Sequence, residues 1–197
     1  MGLGRRTDLF QIRIHGRGGQ GVVTAAELLS VAAFQAGRHA QAFPSFGSER
    51  TGAPVVSYCR IDDRPIRLRE PISDPDALIV QDASLIAQIN VFSGVREGAT
   101  ILINSERTLA ELGIEDTGSA TFVVLPATQI ALAHIGRPVP NAVLLGGFSA
   151  ATDQLNIEDV IEAITERFPG RIAAGNIEAA REAASLVGEM LTEARDG

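Results

Sequence analysis

The feature that most constrains this chain is a glycine run, Gly16-Arg17-Gly18-Gly19-Gln20-Gly21, set between two stretches of opposite periodicity. Upstream, FQIRIH (10–15) alternates apolar and polar residues with the two-residue repeat of a strand. Downstream, GVVTAAELLSVAAFQA (21–36) holds no proline and is rich in Ala and Leu. Gly37 follows it, the residue type favoured just beyond a helix end. Strand, glycine turn and helix in that order open an α/β fold and create an anion receptor. Glycine lets the backbone approach a ligand closely, and the helix start offers free N–H groups and a partial positive charge. Apolar residues cover most of the girth of the 21–36 helix, which predicts burial on two sides, between its sheet and another layer or a partner chain.

The rest of the chain repeats the strand theme. HAQAF (39–43) predicts a short strand and PSFGSERTG (44–52) a loop of breakers. APVVSYCRI (53–61) predicts a strong strand, with DDRP turning into a shorter antiparallel partner, IRLRE (65–69). DALIVQD (76–82), ATILINS (99–105) and ATFVVLP (120–126) are short apolar runs of the kind found in buried parallel strands, separated by segments expected to be helical. The last sixty residues predict helices. Asn141 is the N-cap candidate of one, Ile157 to Phe168 line one face of the next, and Ile177 to Ala194 form an apolar seam on the last. The expected fold is a single α/β domain over 1–197, with a mostly parallel sheet, an antiparallel hairpin addition and a helical C-terminal region.

Composition removes several classes of function. All 17 basic residues are Arg, against 24 Asp and Glu, for a net charge of −7. Without lysine there is neither a Schiff base nor a Walker-type phosphate loop, and the acidic balance argues against nucleic-acid binding. Cys59 is the single cysteine, so the chain forms no internal disulfide and cannot alone hold an iron–sulfur cluster or a multi-thiolate zinc site. His15, His39 and His134 are too far apart in sequence to suggest a metal pair. The N-terminus lacks the apolar region of a signal peptide, and no window is apolar enough for membrane insertion. A cytoplasmic location is expected.

Two segments carry the candidate chemistry. At Gly16 to Gly21 the expected ligand is a phosphate or pyrophosphate, with a bidentate contact from Arg17. A dinucleotide site would also need an acid at the end of the second strand, and HAQAFP carries none. The second segment is the loop holding Ser48, Glu49, Arg50 and Thr51, expected to leave the same sheet end as the glycine turn. Cys59 is expected to be a packed small hydrophobe, His15 a hydrogen-bonded structural histidine, and Asp82 a helix cap. No catalytic arrangement emerges from the spacing.

IRIHGRGGQGVVTAAELL (12–29), FPSFGSERTGAPVVSYCRI (43–61) and PNAVLLGGF (140–148) together resemble the gamma subunit of the 2-oxoacid:acceptor oxidoreductases, of which pyruvate:ferredoxin oxidoreductase is a member. The resemblance implies a Rossmann-like module associated with coenzyme A and with assembly of the complex. It implies that thiamine diphosphate with Mg and the 4Fe-4S clusters sit on partner subunits of alpha, beta and delta type. Electrons would pass to ferredoxin or, through a flavin subunit with FAD, to NAD. By motif, Gly16, Arg17, Gly18, Gly19, Gln20 and Gly21, with Ser48, Glu49, Arg50 and Thr51, are the positions expected near coenzyme A or a subunit interface, and Asn141 is a further candidate. The isolated chain is then expected to be inactive, and the 2-oxoacid to be read elsewhere: pyruvate, 2-oxoglutarate, or a branched-chain or aromatic acid. Two rivals remain, a self-contained NAD(P)-binding oxidoreductase and a purely structural assembly subunit.

Overall fold

The computed structural model describes residues 9–45, 51–115 and 117–196. Its frame is one six-stranded sheet. The strands are β1 (Phe10–Arg17), β2 (His39–Pro44), β3 (Pro54–Asp62), β4 (Ala77–Val80), β5 (Thr100–Asn104) and β6 (Thr121–Leu125), in the order β2-β3-β1-β4-β5-β6. β1, β4, β5 and β6 are parallel neighbours, whereas β3 lies antiparallel to both β1 and β2. The sheet is therefore mixed and mostly parallel, as the apolar runs predicted.

One face of the sheet is covered by helices. They are α1 (Val22–Gln35), α2 (Ala127–Ile135), α3 (Asn141–Ala151), α4 (Ile157–Arg167) and α5 (Gly170–Asp196). Inward side chains such as Ile12, Ile14, Ile79 and Leu102 meet the apolar faces of these helices in one continuous core. α1 lies between β2 and β3 on one side and α4 on the other, which explains its apolar girth. It closes as expected: Gly37 takes a positive φ while Arg38 N donates to Ala33 O and Gly37 N to Phe34 O, satisfying carbonyls of the last turn. α3 and α5 pack so tightly that a Cβ on Gly146 would be driven into the carbonyl of Ala180.

The opposite face has no α-helix among the described residues. A single 3-10 turn (Ala83–Leu85) and irregular loops pack Leu85 and Val91 onto Leu78, Val80, Ile101 and Ile103. The helices expected between β4, β5 and β6 are absent, because Gly94 and Gly98 turn the first connection through positive φ and the second is short and broken at Gly113 and Gly118. The expected strand 65–69 is also absent. Its neighbourhood serves buried arginines instead: Glu70 O accepts from Arg60 Nη2 at 2.7 Å, and Ile72 O and Ser73 O accept from Arg13 Nη1. The antiparallel partners of β3 are β1 and β2.

Three smaller corrections concern the helices. α2 was not foreseen as a separate helix. α3 is capped by Pro140, with Asn141 as its first helical residue. α5 begins at Gly170, and its buried line runs Ala173, Asn176, Ala180, Ala183, Val187, leaving Ala194 exposed. α4 keeps its expected face, with Val160 and Ile164 buried.

Candidate functional site

β1 continues through Gly16 and Arg17 before the chain turns into α1. Gly16 has to be glycine because a Cβ there would lie 2.6 Å from Val22 Cγ2. Gly21 has φ +74° and sits so close to Asn141 that an added Cβ would be 2.8 Å from its Nδ2. The first intrahelical bond runs from Ala25 N to Gly21 O, so the N–H groups of Val22, Val23 and Thr24 have no acceptor within the helix. These donors and the helix dipole form the receptor that the glycine run suggested.

The segment after β2 returns to this turn. Thr51 bridges Gly18, Gly52 N donates to Gly18 O at 3.1 Å, and Gly18 N donates to Ala53 O at 2.9 Å. Ser57 Oγ then ties β3 to α1 by donating to Val22 O. Thr51 thus joins the glycine run; Ser48, Glu49 and Arg50 lie outside the described residues. Arg17, Gly18, Gly19, Gly21, Thr24 and Thr51 line a cleft of about 370 Å³, in whose lining there is no carboxylate among the described residues.

Arg17 is placed differently from the expected free guanidinium. Its Nε donates to Asp82 at 3.1 Å, Nη1 to Gly52 O at 3.0 Å, and Nη2 to Ser84 Oγ and Gln88 Oε1. It ties the glycine turn to the loops after β2 and β4 and leaves its charge at the cleft wall. Gln20 braces the same turn, accepting from Arg17 N at 2.7 Å and donating to Asp82 at 2.9 Å. Asp82 caps the 3-10 turn through Ser84 N, the capping role expected of it. Burial pushes its carboxyl up, but bonds from Ser84 and Gln20 and the Arg17 charge outweigh that and hold it below the usual carboxylate range.

On the helix side of the same turn lies a second cleft of about 400 Å³, reached through the shared residues Gly19, Gly21 and Thr24. Arg137, Arg167 and Arg171 line it together with Asn141, and sequence reasoning did not single out these arginines. The available signal was their setting in GRPVP (136–140) and RFPGR (167–171), two breaker-rich helix junctions that each carry arginine.

Other candidates take no part in either cleft. Cys59 is wholly buried, and burial pushes its thiol up to about 12, so it acts as a packed hydrophobe. His15 is buried too, but neither ring nitrogen has a hydrogen-bond partner, contrary to expectation. Desolvation, with the nearby Arg13 charge, lowers its pKa to about 4. Among the described residues no three His, Cys, Asp or Glu converge as metal ligands, and no helix is long and apolar enough to cross a membrane.

Residues 11–186 match the family model described as pyruvate ferredoxin/flavodoxin oxidoreductase. The chain belongs to that family. It is 45% identical over 177 residues to the pyruvate/ketoisovalerate oxidoreductases common subunit gamma of Thermococcus litoralis, covering 89% of this chain and 95% of the relative. The crystal structure of pyruvate oxidoreductase subunit PORC from Thermotoga maritima superposes with a TM-score of 0.80 at 32% identity, covering 91% of this chain and 97% of that one. The same fold recurs at 18% identity and a TM-score of 0.76 in a 2-oxoglutarate:ferredoxin oxidoreductase from Magnetococcus marinus solved with 2-oxoglutarate, coenzyme A and succinyl-CoA. The match covers 93% of this chain and 32% of the Magnetococcus chain.

Proposed function

We propose that this chain is the gamma subunit of a coenzyme-A-acylating 2-oxoacid:acceptor oxidoreductase, and that its glycine turn holds the diphosphate of coenzyme A while the remainder of its surface serves assembly. The observation that carries this reading is the cleft at the start of α1, free of carboxylates among the described residues, where N–H groups without intrahelical acceptors line the space beside a tethered arginine. A diphosphate suits that donor set, since each oxygen accepts from backbone N–H and the helix dipole favours its charge. Coenzyme A supplies the thiol that accepts the acyl group. This chain's residues bind and orient its phosphates: Arg17 and Gln20 keep the turn in shape, and Gly18 and Gly19 let the ligand approach.

Thiamine diphosphate, Mg and the iron–sulfur clusters belong, on this reading, to the alpha-, beta- and delta-type partners. One buried cysteine with a raised pKa is unsuited to cluster ligation. A self-contained NAD(P) enzyme fits poorly, because β2 ends in Phe43-Pro44 with no acid for a ribose. The Thermococcus relative is named as common to two oxidoreductases. Substrate choice by the partners follows naturally from such sharing, and the 2-oxoacid is left to them.

The test is Thr24→Glu in the assembled oxidoreductase. Thr24 lies in the first turn of α1, where a carboxylate is compatible with the helix dipole, so the fold is retained while a negative charge enters the cleft. The KM for coenzyme A should rise at least ~10-fold, as loss of one or two charge-assisted contacts implies. An intact complex with unchanged KM would overturn the reading in favour of a purely structural subunit.

A further inference from the structure

Gln20 closes the glycine turn on itself. Its backbone N donates to Arg17 O at 3.0 Å and its Oε1 accepts from Arg17 N at 2.7 Å, so one residue engages both polar groups of the Arg17 backbone. An amide whose oxygen faces Arg17 N must turn its NH2 the other way, and that NH2 meets Asp82 Oδ2 at 2.9 Å. Room for the fold-back exists because residue 16 is glycine: a Cβ there would lie 3.1 Å from Gln20 Oε1.

Asp82 lies outside the lining of both clefts. It follows β4, where Gln81 N donates to His15 O at 2.8 Å and fixes the chain beside the end of β1. Besides Gln20, its Oδ2 accepts from Arg17 Nε at 3.1 Å, while its Oδ1 accepts from Ser84 N at 3.0 Å and Ser84 Oγ at 2.6 Å. One oxygen therefore serves the glycine turn and the other caps the 3-10 turn. With side chains 22% and 18% exposed, the Arg17–Asp82 contact is shielded from most solvent and holds a geometry that a surface ion pair would not.

We propose that Asp82 is a positioning residue for the anion site at the glycine turn, acting through Gln20 and Arg17 without touching the ligand. The inference rests on the reading of the turn given above. With Oδ2 in place, the Gln20 amide keeps residues 17–20 in the closed turn and the Arg17 guanidinium stays at the cleft wall. Without it both donors lose their common acceptor. Gln20 is then free to leave Arg17 N, and the N–H groups at the start of α1 are no longer held in register with the turn.

The experiment is a double-mutant cycle in the assembled oxidoreductase. Asp82→Asn keeps Oδ1 for Ser84 and puts an NH2 where Arg17 Nε and Gln20 Nε2 now donate, so it removes the turn's acceptor and spares the 3-10 cap. Gln20→Glu sets two carboxylates against each other. The two together exchange amide and carboxylate: the new amide donates across the contact, the new carboxylate still accepts from Arg17 N, and the total charge is that of the unaltered chain. Turnover is followed with whichever of pyruvate and 2-oxoglutarate the complex oxidises faster, and coenzyme A binding is measured separately by calorimetry. Each single substitution should raise the KM and Kd for coenzyme A ~10-fold, and the pair should bring both back to within ~3-fold of the unaltered complex. The KM for the 2-oxoacid and kcat at saturating coenzyme A, which a general loss of structure would disturb, should stay within ~2-fold. The inference is overturned if Asp82→Asn leaves the KM for coenzyme A unchanged, if kcat falls with it, or if the pair is as impaired as either single variant. Thr24→Glu separates these failures from failure of the turn itself. A KM raised by Thr24→Glu but not by Asp82→Asn keeps the turn and removes Asp82 from it, whereas no change in any variant overturns both.

Discussion

Over β1 and β3 the two faces of the sheet solve the same burial problem with opposite chemistry. Under the helices, the strands present Ile12, Ile14, Ile79 and Leu102 to an apolar core. On the other face the same β1 presents Gln11, Arg13 and His15, beside Tyr58 and Arg60 of β3. Arg13 is 7% exposed and reaches four carbonyls, those of Ile72, Ser73, Val91 and Ser93. Arg60 spans Gln11 and Glu70 O and lies over the Phe43 ring. The helix face is held by area and fit. The polar β1–β3 half of the other face is held by two arginines that clip irregular segments to the sheet, while beside it Leu85 and Val91 pack on Leu78, Val80, Ile101 and Ile103. That face still contains buried atoms with no partner: Arg13 Nε, both nitrogens of His15, Gln41 Oε1 and Arg60 Nη1.

The largest effect should come from removing a clip. Arg13→Met keeps much of the volume but leaves four buried or half-buried carbonyls without a donor, which should cost about 4 kcal/mol or more in urea unfolding. Phe148→Ala is the matching cut on the helix face, where the ring is wholly buried and packs edge-on against Phe10 at 6.3 Å. It should cost about 3–4 kcal/mol through lost transfer energy and a cavity. The two should also differ in kind. Arg13→Met frees the loops around residues 72 and 93 to early hydrogen exchange, whereas Phe148→Ala weakens α3 and its neighbours. If Arg13→Met were the milder change, the polar face would be held by apolar contacts like the other, and the contrast would fall.

This contrast also separates what sequence patterns reveal from what they hide. β1 was legible by its two-residue alternation, α1 as a proline-free apolar run closed by Gly37, and β4, β5 and β6 as short apolar runs of the buried-strand kind. The glycine turn was legible because its spacing encodes the turn itself. IRLRE at 65–69 has the alternation of a strand but not its pairing, since nearby carbonyls are taken by arginines that lie far away in sequence. The missing helices on the open face fail for a related reason: apolar residues such as Val91, Phe92 and Phe122 pack there through irregular turns, and no period records that. Arg17 was recognised as part of the site but not as a tether, because its partners come from two segments far from it in sequence, after β2 and after β4. Arg137 and Arg171 belong to different helix junctions, and only the packing of α2, α3 and α5 brings them to one cavity.

The subtlest difference between the faces is a dependence on pH that only the polar one carries. His15 is 6% exposed, with neither nitrogen bonded, and its pKa falls from 6.5 to about 4 through burial and the charge of Arg13. The folded chain therefore favours the neutral ring, whereas the unfolded chain takes up a proton near the ordinary value. Stability from this residue is complete above about pH 6.5, declines as the pH falls toward about 4, and is flat below that, a total of about 3 kcal/mol. Carboxylates whose pKa is held low, such as Asp82, lose their contribution only at still lower pH. The window between 4 and 6.5 therefore reports the histidine. Urea unfolding across that window should show the slope in the native chain and lose it in His15→Leu. An equal slope in both would mean that the ring is protonated in the folded chain, and that the polar face tolerates one more charge than its buried arginines suggest.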